Sequence, residues 1–138
     1  MITPRGIRNN NPGNIRNSDA TDWLGEVKKS EKKDDAFEEF EDIAHGYRAL
    51  IKLLQNYRKK HNCKTIADFI SRWAPRTENN TAAYIQRVCR EMQVATTYVP
   101  DVDDKATMCN FAAAISQVEN GIPAVLADVC AGWELLNK

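Results

Sequence analysis

Glu119 stands in an unusual place for a carboxylate. It closes the run Ala113-Ala114-Ile115-Ser116-Gln117-Val118-Glu119, whose apolar spacing is helical, and Asn120-Gly121 follows, a pair suited to ending a helix. Negative charge there faces the unfavourable end of the helix dipole in partly apolar surroundings. That favours keeping a proton, as a general acid must. The plainer alternative is a solvent-facing Glu on a last turn. Glu78, in Glu78-Asn79-Asn80-Thr81, is the rival acid. Beside a helix N-terminus its charged form is stabilised, which suits a helix-start role better than acid catalysis.

Other chemistries find less support. Cys63, Cys89, Cys109 and Cys130 lie 26, 20 and 21 positions apart, with no C-x-x-C and no nearby pair of histidines. The zinc templates therefore fail, and neither a metal nor a cofactor is expected. Three of these cysteines fall within helical apolar patterns and read as buried thiols, with disulfides expected only in an oxidising compartment. His45 and His61 sit at helix edges and read as surface residues. Residues 46–90 hold ten Lys/Arg against Asp68 and Glu78, although the chain as a whole balances 19 basic against 19 acidic residues. A polyanion could use that stretch, but its cations alternate with an apolar stripe as on any solvated helix, and no DNA-binding motif accompanies them. Nucleic acid is therefore not expected as a partner.

The elements that must position these residues are mainly helices. At 138 residues, 43% hydrophobic and 28% charged, the chain fits one domain over residues 1–138 with a single core. Tyr47, Leu50, Ile51, Leu54 and Tyr57 recur at three and four, predicting a helix from Gly46 to about Lys60. Thr65 can cap a second helix that Pro75 stops. A third follows the cluster Asn79, Asn80, Thr81, a fourth starts near Asp103 or Asp104, and a fifth has Pro123 in its first turn. Before them, residues 1–22 read as an ordered loop or short helical turns. Residues 23–27 and 36–40, separated by the charged stretch 28–35, predict a small β-hairpin. No apolar stretch reaches the roughly 20 residues of a membrane span, and Arg5 and Arg8 lack the apolar run of a secretory signal.

Arg5-Gly6-Ile7-Arg8-Asn9-Asn10-Asn11-Pro12-Gly13-Asn14-Ile15-Arg16, then Trp23 with Gly25, Phe37 with Phe40, Gly46-Tyr47-Arg48-Ala49-Leu50, and Arg72-Trp73-Ala74-Pro75 with Glu78-Asn79, Thr81 and Tyr84 form a distinctive series. It closely resembles a family of phage virion-associated and prophage proteins described as structural proteins, with a lysozyme-like fold. A second resemblance is to lytic transglycosylases and related glucosaminidases. Those carry a catalytic Glu in a Glu-Ser-Gly-like stretch at the end of an apolar helix, then a Gly/Asn-rich loop, then a Thr-x-x-Tyr helix. Glu119-Asn120-Gly121 looks like the first, residues 10–15 like the second and Thr81-Ala82-Ala83-Tyr84 like the third. Asn120 replaces the Ser, and the order is rotated, as a circular permutation would make it.

The resemblance implies a mostly α, α+β domain of lysozyme-like fold, about five helices with a small N-terminal β-hairpin. It also implies cleavage of peptidoglycan glycan strands, as a muramidase or lytic transglycosylase, with Glu119 as general acid. A second carboxylate would come from the loop or hairpin, where Asp22 is the candidate, although transglycosylases resemble a one-carboxylate scheme. Asn10, Asn11 and Asn14 offer amides to sugar hydroxyls and N-acetyl groups, and Tyr84 a ring or hydroxyl. Trp23 reads as core. A permuted site requires residues 10–14 to meet Glu119 in space. The alternative reading is a non-catalytic virion or secretion-associated protein that keeps the fold, since a shared fold does not guarantee activity. Either way, the chain is expected to be made in the cytoplasm without a signal peptide. It would act at the periplasm or cell wall after delivery by a phage or secretion system, where a virion or secretion-machinery partner would carry it.

Overall fold

A computed structural model describes residues 2–137. Six α-helices make up the ordered elements: α1 Arg5–Arg8, α2 Ile43–His61, α3 Ile66–Trp73, α4 Thr81–Met92, α5 Lys105–Asn120 and α6 Leu126–Glu134, with short 3-10 turns at Lys29–Glu31 and Leu135–Asn137. The helix starts follow local chemistry. Asp42, Asn80 and Asp104 each accept a hydrogen bond from a backbone N–H in the first turn of α2, α4 and α5. Thr65 and Asp68 form a reciprocal capping box at α3. The helix ends turn through left-handed residues, Asn62, Gln93 and Gly121.

α2 is the centre of the molecule. Tyr47, Leu50, Ile51 and Leu54 on one face are fully or almost fully buried, together with Ile66, Phe69 and Ile70 of α3, Val88 of α4 and Met108, Phe111 and Ile115 of α5. Phe69 and Phe111 meet edge to face at 5.4 Å, a favoured aromatic geometry. α6 lies along α2 so closely that a Cβ on Gly132 would sit 2.6 Å from Cβ of Tyr47. Cys63, Cys89 and Cys109 are buried and Cys130 half-buried, all as free thiols. Burial, helped by the neighbouring Cys130, pushes the Cys109 thiol up to about 11.

The mostly α expectation holds, but the α+β assignment with an N-terminal β-hairpin is overturned. Among the described residues there is no strand, only two isolated antiparallel bridges, Arg16 with Phe37 and Glu26 with Phe40. The reason lies in how residues 36–40 divide their backbone hydrogen bonds. Asn17 N–H donates to Ala36 and Glu38 N–H to Ile15. Val27 N–H donates to Glu39 and Phe40 N–H to Asn9. A segment shared among three partners builds no continuous ladder with any of them. The turn is held instead by charge: the fully buried Glu38 and the nearly buried Glu26 each meet Lys29 Nζ at 2.7 Å. α6 also begins later than predicted, at Leu126, with Pro123 lying ahead of it in the connecting turn.

Candidate active site

The N-terminal loop is folded by its asparagines. Asn10 and Asn14 adopt left-handed backbone angles, φ 52° and 50°, which Asn tolerates better than most residues. Asn11 is 0% exposed. Its Nδ2 donates to the carbonyls of Ile15 and Glu38, and its Oδ1 accepts from Ile15 N–H. Asn10 Nδ2 donates to the Phe40 carbonyl. Both side chains are thus spent on backbone groups, closing the loop and tying it to residues 38–40. Gly46 of α2 lets the loop seat, since a Cβ there would overlap the Asn10 carbonyl and crowd Pro12.

Seated this way, the loop brings Asn14 to the far end of α5. Asn14 Nδ2 donates to Glu119 Oε1 at 2.9 Å, across 105 positions of sequence. Tyr84 of α4 donates its hydroxyl to Glu119 Oε2 at 2.7 Å and accepts from Trp73 Nε1 at 3.1 Å. Burial and the adjoining Glu119 carboxylate hold the Tyr84 phenol protonated far above its ordinary range, so it serves as a permanent donor. The next residue, Asn120, ties the helix end to the loop by donating to the Pro12 carbonyl at 2.9 Å. Asn14 Oδ1 and Asn120 Oδ1 are buried without a hydrogen-bond partner. Both lie over Gly6, where a Cβ would stand 2.9 Å from the first and 2.5 Å from the second.

Glu119 lies on an open cleft of about 370 Å³. Asn14, Arg16, Arg72, Trp73 and Glu78 share that lining. A carboxylate placed here, fixed by two donors from separate elements and open on one side, can take or give a proton at a bound ligand. Of the residues singled out from sequence, Asn14, Tyr84 and Glu119 come together, and Asn10 and Asn11 stand behind them as scaffold. Asp22 is exposed and lines a separate depression beside α2 with Trp23, Glu26 and Arg48. Trp23 packs against the small cluster of Ile15, Phe40 and Ala49. Glu78 does not cap α4, a role that Asn80 fills. It sits in the preceding turn and pairs with Arg16 at 3.5 Å on the cleft rim. Trp73, Arg16 and Arg72 carry no chemical signal in their own spacing, although all three belong to the motifs of the phage resemblance.

No family model matches the chain. The chain is similar to a phage protein. It is 40% identical over 89 residues to Protein P5 of Pseudoalteromonas phage PM2, a match covering 63% of this chain and 54% of P5. The chain thus spans about half the length of that relative. Among the described residues, no helix is long and apolar enough to cross a membrane.

Proposed function

We propose that this chain cleaves the glycan strands of peptidoglycan between N-acetylated sugars, as a muramidase or lytic transglycosylase, with Glu119 as general acid. One observation carries the reading. The three segments that resemble lytic transglycosylases, far apart in sequence, supply the three groups Glu119, Asn14 and Tyr84, which are joined by hydrogen bonds of 2.7 and 2.9 Å.

Glycosidic cleavage needs a proton on the leaving oxygen while an oxocarbenium-like centre forms. As Glu119 gives up that proton, the Asn14 amide and Tyr84 hydroxyl stabilise the carboxylate left behind. They act most strongly where charge develops, the condition for accelerating the step. Before transfer, the acceptor of the Glu119 carboxyl proton is the ligand's leaving oxygen, on the open side of the cleft. After transfer, the same carboxylate can take a proton from water, giving hydrolysis, or from the sugar's own hydroxyl, giving an anhydro ring. A phage relative fits a protein that a virion or secretion system delivers to the wall. Incubating the purified chain with sacculi and weighing the released fragments tests the reading. Hydrated ends mark a muramidase and anhydro ends a transglycosylase, whereas intact sacculi overturn the enzymatic reading and favour a non-catalytic virion protein.

A further inference from the structure

Arg16 and Arg72 line the cleft on which Glu119 lies. Each guanidinium lies over an aromatic ring of the cleft wall, Arg16 at 5.5 Å from the Phe37 centroid and Arg72 at 5.3 Å from the Tyr57 centroid. Stacking of this kind fixes the plane of an arginine while leaving its edge N–H groups available.

Arg5 offers an internal comparison. It too lies over Phe37, at 4.5 Å, but Asp34 occupies its edge through two hydrogen bonds of 2.7 and 2.8 Å. Neither cleft arginine is satisfied in this way. The carboxylate near Arg16 is Glu78, at 3.5 Å, with the two side chains 66% and 53% exposed. Such a pair is loose and readily exchanged. Arg72 contacts His61 Nε2 at 3.2 Å, where the imidazole must accept because an arginine only donates. Among the described residues no carboxylate lies within ion-pair distance of Arg72. The cleft therefore presents two pre-oriented forks without a firm anion.

We propose that Arg16 and Arg72 bind carboxylates of the ligand, so that the cleft takes an amino-sugar glycan bearing carboxylates in preference to a neutral one. This rests on the glycan reading above. The carboxylates have two alternative sources, the lactyl carboxylate of a muramyl sugar without peptide or, where that group is taken up in the amide link, the carboxylates of the attached peptide. Planar carboxylates match the arginine fork, and a neutral glycan offers the forks no charge to pair with.

Binding to the full chain is measured by calorimetry or NMR titration with three disaccharides: di-N-acetylchitobiose, without a carboxylate; N-acetylglucosaminyl-muramic acid, with the lactyl carboxylate; and the same disaccharide carrying its tetrapeptide. At least one acidic ligand should bind about tenfold tighter than chitobiose, the scale of a charge-assisted fork. Whichever it is names the source. Arg16→Gln and Arg72→Gln should each narrow the gap, Arg72→Lys should restore part of it, and Lys105→Gln, a charge lost at the opposite end of α5 from Glu119, should leave it intact. Unchanged thermal melts would separate these effects from misfolding. Equal binding of all three ligands, or a gap that survives both glutamine variants, overturns the inference and leaves the glycan reading standing. If none binds while sacculi are still cut, the inference alone falls. If none binds and sacculi stay whole, both fall.

Discussion

The Glu119 carboxylate is held on one oxygen by Asn14 and on the other by Tyr84, at 2.9 and 2.7 Å. This carboxylate is thereby fixed by the N-terminal loop and by α4 from the middle of the sequence. Replacing Glu119 with Gln keeps the shape and can still accept on one side, but it removes the transferable proton. Glu119→Gln should melt near the parent temperature while sacculus cleavage falls by at least ~10²-fold. A folded variant that cuts at the parent rate sinks the assignment.

Tyr84→Phe removes a donor to Glu119 and strands the Trp73 indole N–H. Losing one hydrogen bond to a carboxylate and one from an indole should together cost about 2–4 kcal/mol of stability, measured by denaturant titration. Asn14→Ala spares the core, and by losing a hydrogen bond to a charged group it should slow cleavage about tenfold or more. An Asn14→Ala protein with unchanged turnover would remove Asn14 from the mechanism.

Asn11 should behave oppositely to Asn14 although the two are three positions apart. Two of its three hydrogen bonds close the loop on Ile15 and the third ties it to the Glu38 carbonyl. Asn11→Ala should cost about 2–4 kcal/mol by leaving Ile15 N–H and the Glu38 carbonyl unpaired, while the Ile15 carbonyl keeps its bond from Glu38 N–H. Chemical denaturation checks this, and a loss below the error of that measurement would contradict the scaffold role.

Glu78 lies outside the helix it was expected to start, and its partner Arg16 is exposed. Glu78→Gln should therefore change stability by no more than about 0.5 kcal/mol. A loss the size of a missing helix cap, about 1 kcal/mol, would show that the turn depends on Glu78 after all.

Acid should unfold this protein through particular carboxylates. Hydrogen bonds from Arg5, and then from Asn9 and two backbone N–H groups, hold Asp34 far below the usual carboxylate range. Backbone N–H groups lower Asp42 and Asp68 as well. A carboxylate with a depressed value in the folded chain adds stability that is present above its unfolded value, about 3.9. That stability is lost as pH falls through the lower folded value. Stability should fall below about pH 4, and Asp34→Asn should be weaker at pH 7 yet lose less on acidification, as followed by circular dichroism.

The helices were legible because each states its start and its buried face locally: Thr65 with Asp68, Asn80, Asp104, and the three-and-four spacing of Tyr47, Leu50, Ile51 and Leu54. The hairpin was misread because residues 23–27 and 36–40 have a pairing composition, whereas their actual partners include Asn9 and residues 15–17, which nothing local announces. Glu119 was legible through its misfit at a helix end. Arg16, Arg72 and Trp73 were not, since an arginine beside an aromatic on another element leaves no periodicity. Asp22 lies in a separate depression beside α2, a tertiary placement that its own segment does not announce either.

The tie between Asn120 and the Pro12 carbonyl also sets a timetable. During synthesis, residues 5–16 emerge before α5 and must wait, with Gly6 uncovered and Asn14 facing no carboxylate, until α5 has been made to its last residue. At about 5–20 residues per second, the hundred or so intervening positions take several seconds to many seconds to appear. Throughout that interval a chain on the ribosome has the other residues of the cleft wall but lacks Glu119, its late-made carboxylate. Any chemistry that depends on Glu119 is withheld from the nascent form.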